Sequence, residues 1–374
     1  MNDENDTFLA RYEDRLADFT YLSRTAGSRS DYVQGGGGNT SCKLDDKLMA
    51  IKASGFRLDQ IAPDAAYAVL DYSMLRTFYQ QTDPSSLDDV EKSGSTQTKA
   101  AAVIVEDIPV LRPSVEAGFH SLLDTYVLHT HPVYANLVTC ASEGPELAAR
   151  IMSGIDESYA FVPYINPGAQ LTFVIDAARK NAADSDGRQP SVIFMQNHGL
   201  IATSDDAATC LSLHEKVNTT VAAFFGVSQN DWPSIDVGPV AGSDSDTISQ
   251  SATPWLKARL LDTSWDLDFF TAQALYPDQL VFLSGQMAVE ESGSLSEYSG
   301  TGTAKATIFR QTGEVLYQCG VNEARTIEET LCAVLFITRT IRAAGYTVNI
   351  MNEAGKQFIS NWESEQYRKT IASK

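Results

Sequence analysis

Apolar residues recur along this chain with two periods, and the places where one gives way to the other outline its elements. Phe8, Tyr12, Leu16, Phe19 and Leu22 stand three or four positions apart, which predicts a helix over 7–30. Four consecutive glycines at 35–38 interrupt it, and short strand-like pieces follow around 41–44 and 48–53. Leu70, Met74, Leu75 and Phe78 share one face of a helix expected over 65–82. Residues 83–98 (DPSSLDDVEKSGSTQT) are polar and turn-rich and are expected to form a loop. A helical pattern around 114–123 leads into an apolar strand over 126–131, which Pro132 ends, and a further helix is expected over 133–140. Pro190 precedes a second apolar strand, 191–196, closed by Asn197-His198-Gly199. Ser204 then reads as the N-cap of a long helix to about residue 225.

Residues 228–253 change character. Pro233, Gly238, Pro239 and Gly242 lie among serines and aspartates without periodicity, so this stretch is expected to be a linker. Beyond it, 281–283, 304–310 and 315–319 read as strands. Leu331, Val334, Ile337 and Ile341 mark a helix over 325–344. Gly300-Thr301-Gly302-Thr303 is an isolated glycine pattern and reads as a turn. With 374 residues, two domains are expected: 1–227, and 254–374 beyond the linker.

Charge narrows the partners. With 28 Lys and Arg against 48 Asp and Glu, the net charge is −20, and the average field repels nucleic acid and anionic membranes. No run approaches the length of a membrane span, and the opening MNDENDTFLARYEDR has no apolar core of a secretory signal. Five scattered cysteines without a CxxC fit a reducing compartment, so a cytoplasmic protein is expected.

The chemistry concentrates in the histidines. His129 and His131 lie two apart on a strand, so they share a face, and two imidazoles on one face can chelate a transition metal. His198 follows the other apolar strand, beside Gly199. Three protein ligands with an open position is the catalytic zinc arrangement. His214 sits mid-helix and reads as structural, while His120 reads equally as packed or as supporting the site.

His129-Thr130-His131-Pro132, Asn197-His198-Gly199 and the segment Gly36-Gly37-Gly38-Asn39-Thr40-Ser41 together resemble the class II aldolase/adducin family, which includes the fuculose- and rhamnulose-phosphate aldolases. Ala53-Ser54-Gly55 and Ser114-Val115-Glu116 with Phe119-His120 extend the resemblance over about residues 10–225, in family order. It implies an α/β three-layer domain around a central, mostly antiparallel sheet, here followed by a smaller α+β domain. It also implies zinc or another divalent ion on His129, His131 and His198, and Glu116 as the catalytic carboxylate. Asn39, Thr40, Ser54, Gly55 and Ser114 match positions that bind the substrate phosphate. Val115 departs from the pattern, since the aldolases carry a small hydroxyl residue there; Lys52, two before Ser54, either compensates as a charged donor or only faces solvent. Tyr164 falls where the family often has an aromatic-proline segment near a neighbouring subunit's site; it reads equally as an acid toward the departing aldehyde's oxygen or as ordinary packing.

The implied activity is an aldehyde-lyase that cleaves a ketose phosphate, or a related hydroxy-carbonyl sugar, by retro-aldol chemistry through an enediolate. Epimerases, dehydratases and decarboxylases of the same family are the alternatives. A non-catalytic adducin-like scaffold is the third, disfavoured because adducin-type members have lost the metal histidines. A small-molecule partner and a homo-oligomer, a tetramer by the resemblance, are expected. Some bifunctional aldolase–dehydrogenases carry a longer C-terminal dehydrogenase. No GxGxxG occurs here, so that second activity is not expected.

Overall fold

The computed structural model describes residues 7–240, 247–262, 264–297 and 302–361. The first sheet has eight strands: β1 Asn39–Lys43, β2 Leu48–Lys52, β3 Tyr67–Asp71, β4 Ala102–Val103, β5 Tyr126–Thr130, β6 Tyr159–Val162, β7 Val192–Met195 and β8 Gly199–Ser204. Their spatial order is β4-β3-β2-β1-β5-β8-β7-β6, and every pairing except β6–β7 is antiparallel. The central strands are buried on both faces; β5 and β7 accordingly read as largely apolar runs, whereas β1 (NTSCK) buries polar side chains. Leu128, Leu200 and Ala202 face the core beneath the helices Glu13–Gly27 and Ala207–Phe224, whereas Val127, Ile193 and Ile201 face the helix Ala169–Asn181 on the other side. Helices on both faces of one sheet make the three-layer α/β domain.

The second sheet is smaller. β9 Val237–Pro239, β10 Ser249–Ser251, β11 Met287–Glu290, β12 Ala306–Phe309 and β13 Glu314–Tyr317 run in the order β11-β12-β13-β10-β9. Two of these strands thus form inside the segment 228–253. The 23-residue helix Val321–Ala343 packs against β9 and β10 of this sheet and against the helix Ala135–Thr139 of the first domain, at whose start Phe336 meets Tyr134 edge-on at 6.0 Å. One apolar cluster accordingly runs from Leu16 to Ile341. No described helix is long and apolar enough to cross a membrane.

Several sequence expectations change. Residues 67–71 form β3, and the helix begins only at Tyr72, capped by Asp71. The apolar run is continuous because the strand is fully buried, so helical spacing appeared where none exists. Residues 90–98 of the expected loop 83–98 belong to the helix Val90–Ala100. Its buried positions include Gly94 and Thr98, too small to announce a hydrophobic period. Residues 281–283, expected as strand, close the helix Pro277–Leu283, all seven residues of which are buried. The long helix after β8 is capped by Asp206, whose carboxylate accepts from the Thr209 amide at 2.8 Å, and not by Ser204. Gly300 and Thr301, half of the expected turn, lie outside the described residues.

His214 is structural, as its mid-helix position suggested. It is fully buried, bonded to Thr130 Oγ1 at 2.6 Å and packed edge-on against Tyr32. Burial, then the charge of Arg29, lowers its pKa to about 3. Between roughly pH 6.5 and 3 the unfolded chain therefore takes up a proton that the native chain refuses, so native stability falls as pH falls through that window. His214→Gln should be less stable at pH 7 but lose less stability between pH 7 and 5 than the parent. Urea midpoints at the two pH values test this, and equal losses would contradict it.

Candidate metal centre

Three strand ends bring the donors together. β5 lies between β1 and β8, with Asn39 opposite His129 and Ile201 opposite His129 on the other side. His131 projects just past β5 on the same face. His198 sits in the tight turn between β7 and β8, where Asn197 takes a left-handed φ of 51°. Gly199 permits the approach, since a Cβ there would collide with the Thr130 carbonyl and lie 3.0 Å from the His131 ring.

The ligand atoms of His129, His131 and His198 all lie within 4.8 Å of one another, and all three residues are buried. His129 Nδ1 is 3.0 Å from the Leu200 carbonyl, which only accepts, so Nδ1 carries the proton and Nε2 keeps its lone pair. His131 Nδ1 donates to the Asp278 carboxylate at 2.5 Å, which likewise frees Nε2. The two Nε2 atoms are 3.2 Å apart. Two lone pairs facing each other at that distance repel unless a cation stands between them. Tetrahedral zinc with Zn–N near 2.0–2.1 Å spaces its nitrogens roughly 3.3 Å apart, so the donor set fits such an ion in both chemistry and spacing.

Glu116 completes the ring. Its Oε2 is 3.5 Å from His129 Nε2 and its Oε1 is 3.4 Å from His198 Nε2. Asn39 Nδ2 donates to Glu116 Oε2 at 2.6 Å and to Ser114 Oγ at 3.1 Å. Asn39 is oriented in turn by His120. Ser41 Oγ donates to His120 Nδ1 at 2.7 Å, and His120 Nε2 donates to Asn39 Oδ1. Burial holds His120 well below the usual histidine pKa, in keeping with a neutral relay. So His120 supports the site through Asn39.

A cavity of about 40 Å³ opens beside these groups, walled by Asn39, Lys52, Ser54, Gly55, Ser114 and Val115 among others. Lys52 is 3% exposed and donates to the carbonyls of Phe56 at 2.7 Å and Gly36 at 3.3 Å, which ties the glycine loop to the loop after β2 and adds a positive charge to the wall. Gly36 and Gly55 also line a larger cleft of about 830 Å³, along with Arg24, Arg57, Asn322 and Arg325.

Two expected residues do not line the small cavity. Thr40 alternates to the other face of β1, where its hydroxyl meets Ser23 Oγ at 2.6 Å. Tyr164 packs against the cluster of Ala274, Leu280 and Met351, with its hydroxyl 3.4 Å from Asn166 Oδ1, and burial raises its pKa. Conversely, Asp278 was not foreseen. It lies 147 positions from His131, in a buried segment with no motif around it.

The chain belongs to the class II aldolase and adducin N-terminal domain family, whose model matches residues 17–224. Over 211 residues it is 26% identical to the "uncharacterized oxidoreductase YuxG" of Bacillus subtilis (strain 168), a match spanning 52% of this chain and 27% of that relative. Among solved structures it is similar to the N-terminal class II aldolase domain of a conserved protein from Thermoplasma acidophilum. That similarity has a TM-score of 0.46 and 21% identity, over 60% of this chain and 96% of that one. It is also similar to an L-fuculose-1-phosphate aldolase from Thermus thermophilus, with a TM-score of 0.37 and 13% identity, over 57% and 95% of the respective chains.

Removing one imidazole leaves two, which cannot replace three. His131→Ala should therefore lose most of the bound metal after purification in zinc. Metal analysis per chain checks this, and an unchanged content would defeat the assignment.

Proposed function

We propose that this protein is a metal-dependent aldehyde-lyase that cleaves a ketose phosphate, or a related hydroxy-carbonyl sugar, by retro-aldol chemistry. The observation that carries the reading is the convergence of three imidazole Nε2 atoms and the Glu116 carboxylate on one point beside a cavity lined by anion donors. His129, His131 and His198 would hold the ion. When bound, a divalent cation there supplies Lewis acidity toward a substrate oxygen.

The other roles fall to the chain itself. Glu116 accepts the hydroxyl proton of the substrate as the carbon–carbon bond breaks, and returns a proton to the enediolate carbon. Asn39 keeps that carboxylate aimed through the 2.6 Å bond to Oε2. Ser54, Ser114, the Gly55 backbone and Lys52 bind the anionic end, at short range and against a net charge of −20. The arginine-walled cleft beyond Gly36 and Gly55 takes whatever part of the substrate the small cavity cannot hold. Thr40 and Tyr164, turned away within this chain, are assigned no role.

Glu116→Gln keeps the side chain's shape but removes the proton acceptor. Turnover should fall by roughly 10²–10⁴ with little change in the thermal midpoint. The assay is a screen of C4–C7 ketose phosphates and sugar acids with zinc, reading aldehyde release. Epimer or dehydrated product without aldehyde would assign the site to another reaction of the family.

Ser54→Ala should raise the Michaelis constant more than it lowers turnover, because a hydroxyl on the anionic end holds ground and transition states alike. Inorganic phosphate should compete. Equal rates on phosphorylated and unphosphorylated substrates would show that the cavity binds a different group.

A further inference from the structure

The loops that carry or border the metal donors are held from the C-terminal part of the chain. The Asn197 side chain, beside His198, donates to the carbonyls of Leu275 at 2.8 Å and Asn349 at 2.9 Å, and Asn349 donates back at 2.9 Å. The glycine loop is held twice. The Gly35 amide donates to Glu329 Oε2 at 2.9 Å, and the Tyr276 hydroxyl donates to Gln34 Oε1 at 3.2 Å. Glu329 is itself buried, 3.2 Å from Arg325 Nε and 3.6 Å from Arg57 Nη2. The nearest of these contacts to the donors is the 2.5 Å bond between Asp278 Oδ2 and His131 Nδ1.

That bond needs a gap in the family domain. A Cβ on Gly37 would collide with Asp278 Oδ2 and stand 3.1 Å from His131 Nδ1. Gly37 has no left-handed φ, so its missing side chain is not a backbone requirement. It is space, and Asp278 fills it. The carboxylate is 0% exposed, and burying a charge there is costly unless it is paired.

We propose that Asp278, reaching in from beyond the family domain through the space above Gly37, is a positioning residue that fixes the tautomer and orientation of His131 and strengthens its metal bond. A carboxylate on the distal imidazole nitrogen makes the coordinating nitrogen more basic and locks the ring. The C-terminal region is thus part of the metal centre, although none of its described residues joins the donor cluster. The inference rests on the metal-binding reading of the three histidines, and the experiment separates the two.

Dissociation constants for zinc and cobalt are measured on the full chain by chelator competition, for the parent, Asp278→Asn, Asp278→Glu and Gly37→Ala. Asp278→Asn should bind roughly 10–100-fold more weakly. Its cobalt absorption bands should shift, a signature that a purely structural loss would not move. Asp278→Glu should recover part of the affinity. Gly37→Ala leaves the carboxylate in the chain but occupies its space, so it should also weaken binding, which keeps the test decisive if Asp278→Asn folds poorly. A parent chain that binds neither ion overturns the metal-centre reading and this inference together. Parent-like affinity and cobalt spectrum in both Asp278→Asn and Gly37→Ala overturn this inference alone.

Discussion

Two imidazole lone pairs 3.2 Å apart set the problem that the surrounding structure answers. Left to themselves they turn away from each other or take up protons. Holding them requires that each ring be tied by its other nitrogen and that the backbone beneath be rigid. His129 obtains both from the sheet. It stands on a strand paired on both sides, and its Nδ1–H reaches the Leu200 carbonyl of the neighbouring strand. His131 has passed the end of β5, so no ladder bond is offered there, and the tie has to come from elsewhere. It comes from Asp278.

The same division runs through the site. One set of groups is oriented from within the family domain: a chain runs from Ser41 on β1 through His120, on the helix Ala117–Leu122, and Asn39 on β1 to Glu116 just before that helix. His131, the turn at Asn197 and the glycine loop are instead held by residues beyond 270. A loop that carried a donor without such support would cost conformational entropy each time the site formed, of the order of 1–2 kcal/mol per ordered residue. Packing the C-terminal helices against these loops moves that cost from binding into folding.

What could be read in the sequence follows the same line. The histidine pair, His198, Glu116 and the glycine loop are local patterns, each next to the strand or turn that positions it, and the structure brings them together. Thr40 was misplaced because a motif match ignores the strand's alternation; one residue along, Ser41 faces the site again. Asp278 was illegible for a different reason. Its meaning depends on a contact across 147 positions and on the space left at Gly37, and neither leaves a periodic or compositional trace. The helix that carries it is buried all round, so it shows no amphipathic stripe, and its last three residues, 281–283, read as a strand. Complete burial erased the helical period there, just as it disguised β3 as a helix.

The charge of the molecule sharpens the point about the anion donors. A chain at −20 places its bulk field against any anionic ligand, so recognition must come from groups close enough for direct hydrogen bonds and shielded from the remaining carboxylates. Lys52 meets the first condition, since it is almost wholly buried and lies on the cavity wall, which it shares with the Glu116 carboxylate. The arginines of the larger cleft meet it less well, because Arg57 and Arg325 already share the buried Glu329. An anion entering that cleft competes with Glu329 for the same guanidinium groups, while Glu329 also anchors the Gly35 amide. One buried carboxylate thus joins the two arginines of the cleft to the backbone of the glycine loop that borders the metal site.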